Sequence, residues 1–429
     1  MSDLGPELVL VSSAATSWPA WWRILSEFAY FVTLASVMGG TLTYLTVVRP
    51  VLRAKESGIE DADVTVIRRR SATLLASFGL ALMVAAYAQL ADRVARTDTG
   101  TSFGEALVPA RMWHFLARPA EVGSWVSSGT LILAQNVLFT VVAALLVGLF
   151  VPSVRDRLDS MATMAASLAV TASFVDSLPT NPRAETFDGV LDIVMTQTHI
   201  IAGCTWLGGL ASLALLSRTR RALGNHAGLF WARIWQRFSV FALTAVGTVI
   251  ASGSWLAWKH VGGASEFVTT TYGRFLLAKI LLVLALVSAG AYNQFLLTPR
   301  IARAHAAGDI GKGFALTLRH FPAVVAVETA LGICVLLIVP FLIGSARTQA
   351  GDGATPTVDG GILALWLLLI ASLGATFYAA HQVSLLLTRR AKASGSSSRL
   401  RLKTRAAQEH NLLKTASAVT NTSHDDHMG

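Results

Sequence analysis

The stretch Tyr272–Pro299, YGRFLLAKILLVLALVSAGAYNQFLLTP, decides the class of fold. After Lys279 come thirteen residues without a charge, closed by Asn293 and, six positions on, Pro299. A helix needs about 20 apolar residues to cross the hydrocarbon core of a bilayer, and this run is long enough. It nevertheless carries a lysine roughly 9 Å inside its outer end, at ~1.5 Å of rise per residue. A charge at that depth is costly to insert and calls for a partner or a route to water.

The whole chain has the same character. Of its 429 residues 53% are hydrophobic and only 14% charged, with a mean hydropathy of +0.55. A soluble domain carries about a quarter charged residues, so the class is integral membrane protein. The first 20 residues lack a basic start and the first apolar run is of spanning length, so no cleaved signal peptide is expected. Cys204 and Cys334 both lie in apolar runs without CxxC spacing, which argues against a disulfide framework or a zinc cluster. The net charge of +10 comes from basic residues spread through the loops without interleaved aromatics. That pattern argues against nucleic acid as a partner and makes these residues orientation signals.

Apolar periodicity and Gly/Pro punctuation predict an all-α, polytopic transmembrane helix bundle of about nine spans. They fall near 24–48, 71–91, 130–151, 158–178, 188–216, 238–258, 274–297, 321–345 and 361–387. Segments 49–70, 152–157, 217–237, 298–320 and 388–429 hold 25 of the 35 Lys and Arg, whereas the segments on the opposite side hold 9. The bias places the N-terminus outside and the C-terminus in the cytoplasm. The organisation reads as a four-span region (1–187) with a long external loop (92–129), a four-span core (188–345), a ninth span (346–388) and a basic, disordered tail (389–429). Trp113, His114, Phe115 and Trp125 in the long loop suit an interfacial helix. The tail ends in His424, Asp425, Asp426, His427 and Met428, read either as a metal-binding segment or as a solvated end.

Inside the spans, polar residues mark candidate sites. Asp188, Asp192, Met195 and His199 are spaced 4, 3 and 4, which puts them on one helical face, with Trp206 continuing it. An acid, thioether and imidazole ladder from the outer end to mid-bilayer suits a cation, in particular a soft one such as Cu(I). The competing reading leaves both aspartates in the headgroup zone and gives His199 one interhelical hydrogen bond. Gly203, Gly208, Gly209 and Ala211 allow close helix packing. Tyr272, Lys279, Leu286 and Asn293 recur every seven residues along the seventh span. Lys279 is expected either to pair with Asp192 or Asp176, or to snorkel to the headgroups. Glu328 enters the eighth span from the other side, roughly 10 Å from the depth of Lys279 in a ~30 Å core. It reads as a protonated carboxyl or an exit point for a cation.

The series His199, Trp206-Leu207-Gly208-Gly209, Arg237-Phe238-Ser239, Ser252-Gly253, Tyr272-Gly273, Leu277, Lys279, Asn293, Pro299 and Glu328 resembles the CopD family of copper-resistance membrane proteins. The resemblance covers roughly residues 188–345. It implies a plasma-membrane copper transport or homeostasis protein, with copper ion as the species bound or carried and a CopC-like donor outside as a partner. Where family members often carry a histidine before the Trp-Gly-Gly helix, this chain has Ser173-Phe174-Val175-Asp176, and Asp176 is a harder ligand. Two other functions compete with copper uptake: a non-transporting assembly or scaffold subunit of a membrane complex, and a haem-b redox protein. The second needs two axial ligands at matched depth, and only His199 is deep. The loops hold no Walker, nucleophile-elbow or HExxH pattern, so enzymatic activity is not expected.

Overall fold

A computed structural model describes residues 18–54, 60–97, 101–181, 186–219, 227–292, 321–352 and 356–380, with a few single positions beyond. Among the described residues the regular structure is helical. Nine of the described helices carry the architecture: α1 (Trp21–Thr43), α2 (Asp61–Thr97), α3 (Ser128–Val147), α4 (Leu158–Val175), α5 (Phe187–Ser217), α6 (Ala227–His260), α7 (Thr271–Tyr292), α8 (Phe321–Ile338) and α9 (Gly360–Ala380). Among the described residues, eight segments are long and apolar enough to span a bilayer. The apolar part of α8, Ala326–Phe341, is shorter. The protein is a polytopic membrane helix bundle.

Several helices run beyond the spans expected from hydropathy. α2 continues to Thr97, so Asp92, Arg93 and Arg96 are helical rather than part of the following loop. α6 begins at Ala227, ahead of the apolar run, where Trp231 and Trp235 pack side by side. α1 widens into a π turn at Tyr44–Val48 before finishing at Arg53. The cause is Pro50, which lacks an N–H and whose ring crowds the carbonyl four residues back. Arg49 accordingly donates its N–H to Tyr44 O, five residues back.

α1 and α5 cross at the centre. α2 and α4 pack on α1, and α3 fills the space between α2 and α4. α6 and α8 pack on α5, α7 packs on α8, and α9 lies against α6. One apolar cluster runs through the bundle, from Leu34 and Met38 through Leu82 and Phe139 to Leu213, Ile234 and Leu286. On α9, Leu365, Leu367 and Leu368 point outward and remain exposed, as suits a lipid-facing helix.

The central crossing depends on glycine. A Cβ on Gly208 would stand 1.7 Å from Ala35 O, and one on Gly39 would stand 2.4 Å from Gly209 N. The two backbones touch there without side chains between them. Gly203 is different, since a Cβ there would meet nothing within 4 Å.

Polar clamps hold the two ends of the α1–α4 region. At one end Asp159 of α4 accepts from Tyr44 Oη (2.6 Å), Arg49 Nε (3.0 Å) and Arg53 Nη2 (2.6 Å), with Arg68 at 3.6 Å. At the other end Arg93 of α2 grips Asp176 of α4 with two hydrogen bonds, 2.8 and 2.6 Å. Asp92, fully buried, pairs with Arg96 (2.7 Å) and accepts from Ser26 Oγ (3.2 Å), while Glu27 pairs with Arg23 (3.1 Å). Beyond that end, Met112, Phe115 and Leu116 of the short helix Pro109–Leu116 cover the ends of α2 and α3, and Trp113 is left exposed.

Gly208→Ala should destabilise the purified protein by about 3 kcal/mol or more, at or beyond the usual range for overpacking, because the obstruction is backbone on both sides. Gly203→Ala should leave thermal unfolding in detergent unchanged. Equal stability of the two variants would contradict the crossing as described.

Candidate functional site

His199 projects from the middle of α5 toward α6. Its Nδ1 lies 3.2 Å from Ser252 Oγ. The hydroxyl has a single proton, and Thr248 O takes it at 2.6 Å, one helical turn back. Ser252 Oγ is therefore the acceptor, Nδ1 carries the ring proton, and Nε2 presents a lone pair. A backbone carbonyl or hydroxyl that fixes one ring nitrogen while leaving the other open is the arrangement metal-ligating histidines use.

The next residue makes room for the ring. A Cβ on Gly253 would lie 3.0 Å from His199 Cε1 and 3.3 Å from Nδ1. The Ser252-Gly253 pair thus supplies both the acceptor and the space, which explains two of the markers in the sequence.

Lys279 of α7 lies within electrostatic reach of His199. The pairing expected from sequence is not formed. Asp176 is occupied by Arg93, and no ion pair joins Lys279 to Asp192. The depth match between Lys279 and Asp192 was legible in the sequence, but the lateral arrangement of helices was not. Arg93 was the missed partner, and its signal was the Asp92/Arg96 spacing of four, which marks the end of α2 as helix rather than loop.

The rest of the α5 ladder has mixed environments. Asp188 accepts the backbone N–H of Val358, just ahead of α9, at 3.0 Å, so it ties the ninth helix to the fifth. Asp192 keeps a buried Oδ1 without a hydrogen-bond partner. Met195 is half-buried between them and His199. Gln197, on the neighbouring face, donates to Ser177 Oγ beyond the end of α4. Among the described residues, no three His, Cys, Asp or Glu side chains converge as a closed metal cage.

Other sequence candidates have structural places. Trp206 is buried in the central core. Tyr272 stacks on His260 at 5.9 Å, and its N–H donates to Gln349 Oε1 at 3.0 Å. A Cβ on Gly273 would stand 2.0 Å from Glu266 O. The Tyr-Gly pair therefore closes the connection from α6 to α7. Glu328 is buried on α8 near Gly290 of α7, away from His199. Cys204 is buried in the core as a free thiol. Asn293, Pro299 and the tail segment His424–Met428 lie outside the described residues.

Comparison with known proteins bears on this geometry. The profile of the family described as copper resistance protein D matches residues 232–342. This part of the chain is a CopD-family region. Ser252, Gly253, Lys279 and Glu328 fall inside it, and His199 lies on the helix before it. The chain is also similar to the copper transport protein CutJ of Bacillus subtilis (strain 168), at 27% identity over 265 residues. That similarity covers 61% of this chain and 43% of CutJ, so the chain spans less than half the length of this relative. No solved structure matches the chain.

Nitrogen NMR of histidine-labelled protein should show His199 in the Nδ1-protonated tautomer. Gly253→Ala should shift the His199 signals by displacing the ring a few tenths of an ångström, whereas Gly203→Ala should leave them in place. A wild-type ring protonated at Nε2 would contradict the assignment of donor and acceptor.

Proposed function

We propose that the protein carries copper across the plasma membrane, inward, with His199 as the central ligand. The observation that supports this reading is the fixed imidazole, with Nδ1 held by Ser252 and Nε2 open, at the wall of a CopD-family region. An open neutral imidazole is a ligand for copper in either oxidation state, and a neighbouring thioether favours Cu(I).

Orientation follows from the distribution of basic residues, which puts the Asp159 end in the cytoplasm and the Arg93 end outside. In that frame the carboxylates of Asp188 and Asp192 gather the cation near the outer surface. Met195 and His199 then take it deeper as its water is removed. Asp192 is suited to the handover because its buried oxygen has no competing hydrogen bond. Lys279 adds positive charge beside His199 and weakens retention there, which favours release over storage. A CopC-like protein outside is the fitting donor, since the ladder begins at that surface.

The competing reading, a non-transporting subunit of a larger membrane complex, draws on the lack of a closed cage among the described residues. Open sites of few ligands suit passage better than storage, because an ion that is to leave must not be held by a full coordination shell. Whole-cell copper content separates the two readings. Cells expressing the protein should accumulate more copper than cells without it, and His199→Ala should return the content to the control value while the protein remains in the membrane. Equal content in all three strains would reject transport and favour the subunit.

A further inference from the structure

Helices α1, α5 and α8 enclose a groove of about 760 Å³, and none of Asp188, Asp192, Met195 and His199 lines it. Val32 and Ser36 of α1, Leu207 and Ala214 of α5, and Ala330 and Ile333 of α8 form its walls. Its volume lies within the ~300–1,000 Å³ of specific small-molecule sites. Small side chains make the room, and Ala330 and Ile333 are exposed. At their depth in the bundle the surroundings are acyl chains rather than water.

The dimensions and the chemistry of the groove select an occupant. Along α5 it runs from Leu207 to Arg218, eleven residues or ~16 Å at helical rise. Along α8 it runs from Ala326 to Leu336, ten residues or ~15 Å. Both lengths are half of a ~30 Å hydrocarbon core, which is the depth of one leaflet. A helix of a second copy would need the full depth. The hydroxyls of Ser36 and Ser217 donate to their own helices, at Val32 O (2.7 Å) and Ala214 O (2.7 Å), so the walls are apolar in effect. Among the described lining residues the one charge is Arg218, exposed at the inner end of α5. The basic-residue bias puts that end at the cytoplasmic surface. A guanidinium there stands at the level of lipid phosphates and matches them in charge and donor geometry.

From this arrangement we infer that the groove is a binding site for one anionic phospholipid of the cytoplasmic leaflet. An acyl chain lies between α1, α5 and α8, and the phosphate rests on Arg218. The chain supplies the apolar contact, and the guanidinium supplies the preference for a net negative headgroup over a zwitterionic one. The site is separate from the copper ladder and is independent of the transport reading.

Native mass spectrometry of the full-length protein tests this site, with phosphatidylglycerol and phosphatidylcholine of identical acyl chains as the probes. The wild type should retain one lipid and prefer phosphatidylglycerol by about fivefold, the worth of one arginine near a membrane surface. Arg218→Gln should still retain one lipid and hold the two kinds equally. Ala330→Phe, which fills the groove from an exposed position, should lose the retained lipid of either kind. Leu368→Phe, on the exposed side of α9, should behave as the wild type. Excess glycerol phosphate, a headgroup without chains, should leave the lipid in place. A wild type that retains no lipid would overturn the inference and point to another part of the chain as the cover of the groove. Equal retention of the two lipids by the wild type, an undiminished preference in Arg218→Gln, or displacement by glycerol phosphate would overturn it as well. So would wild-type retention by a folded Ala330→Phe; if that variant does not fold, Arg218→Gln at the helix end decides the matter by itself.

Discussion

The contact between Ala35 O and the α carbon side of Gly208 is the constraint from which the rest of the arrangement follows. Inside a bilayer the hydrophobic effect does not drive one helix onto another, so close van der Waals approach must supply the attraction. Gly39, one turn from Ala35 on α1, meets the same Gly208–Gly209 backbone, which fixes both the distance and the rotation of α1 against α5. Rotation is what matters for the site. With α5 held by its glycine face on α1, its opposite side is available to α6 and α8. His199 then meets Ser252 and Gly253, and the α5 ladder is held at one orientation over its length.

The polar clamps act at right angles to that contact. Asp159, with three arginines and Tyr44 about it, and the Arg93–Asp176 pair fasten α4 to α1 and α2 at opposite ends. Ion pairs of this kind add little where water screens them and more where it is excluded. Their geometry here is bidentate or shared among several donors, which leaves few lone pairs unmet. The effect is to brace the α1–α4 region, against which α5 stands. On the other side, among the described residues, α7 packs mainly on α8, and α9 is tied by Asp188 to Val358 N and by Trp366 to Ala251 O.

Much of the site was legible in the chain because helical spacing is a one-dimensional property. The intervals Asp188, Asp192, Met195, His199 place four side chains on one face of any α-helix, and depth follows from the count of residues. The close-packing glycines were legible for the same reason, although a Cβ on Gly208 would meet the Ala35 backbone, one on Gly209 the side chains of Thr43 and Phe238, and one on Gly203 nothing within 4 Å. Partners were another matter. Lys279 and Asp192 lie at similar depths, yet depth says nothing about which helices adjoin, and Asp176 was already committed to Arg93. The role of Ser252 was likewise invisible, since a serine in an apolar helix most often bonds its own backbone. Ser252 does so, at Thr248 O, and that bond is what frees its oxygen to accept from His199.

The sequence by itself determined the class of fold, the approximate limits of the spans and the face on which the ladder lies. Each of these depends on hydropathy, length and helical period, which are local to the chain. Only the tertiary structure decided which charges are neutralised, which nitrogen of His199 is open, and that Tyr272 and Gly273 close a connection. Those are facts about neighbours many residues apart, and they depend on which face each helix turns toward the next. In this protein that choice is made where two glycine-bearing backbones touch.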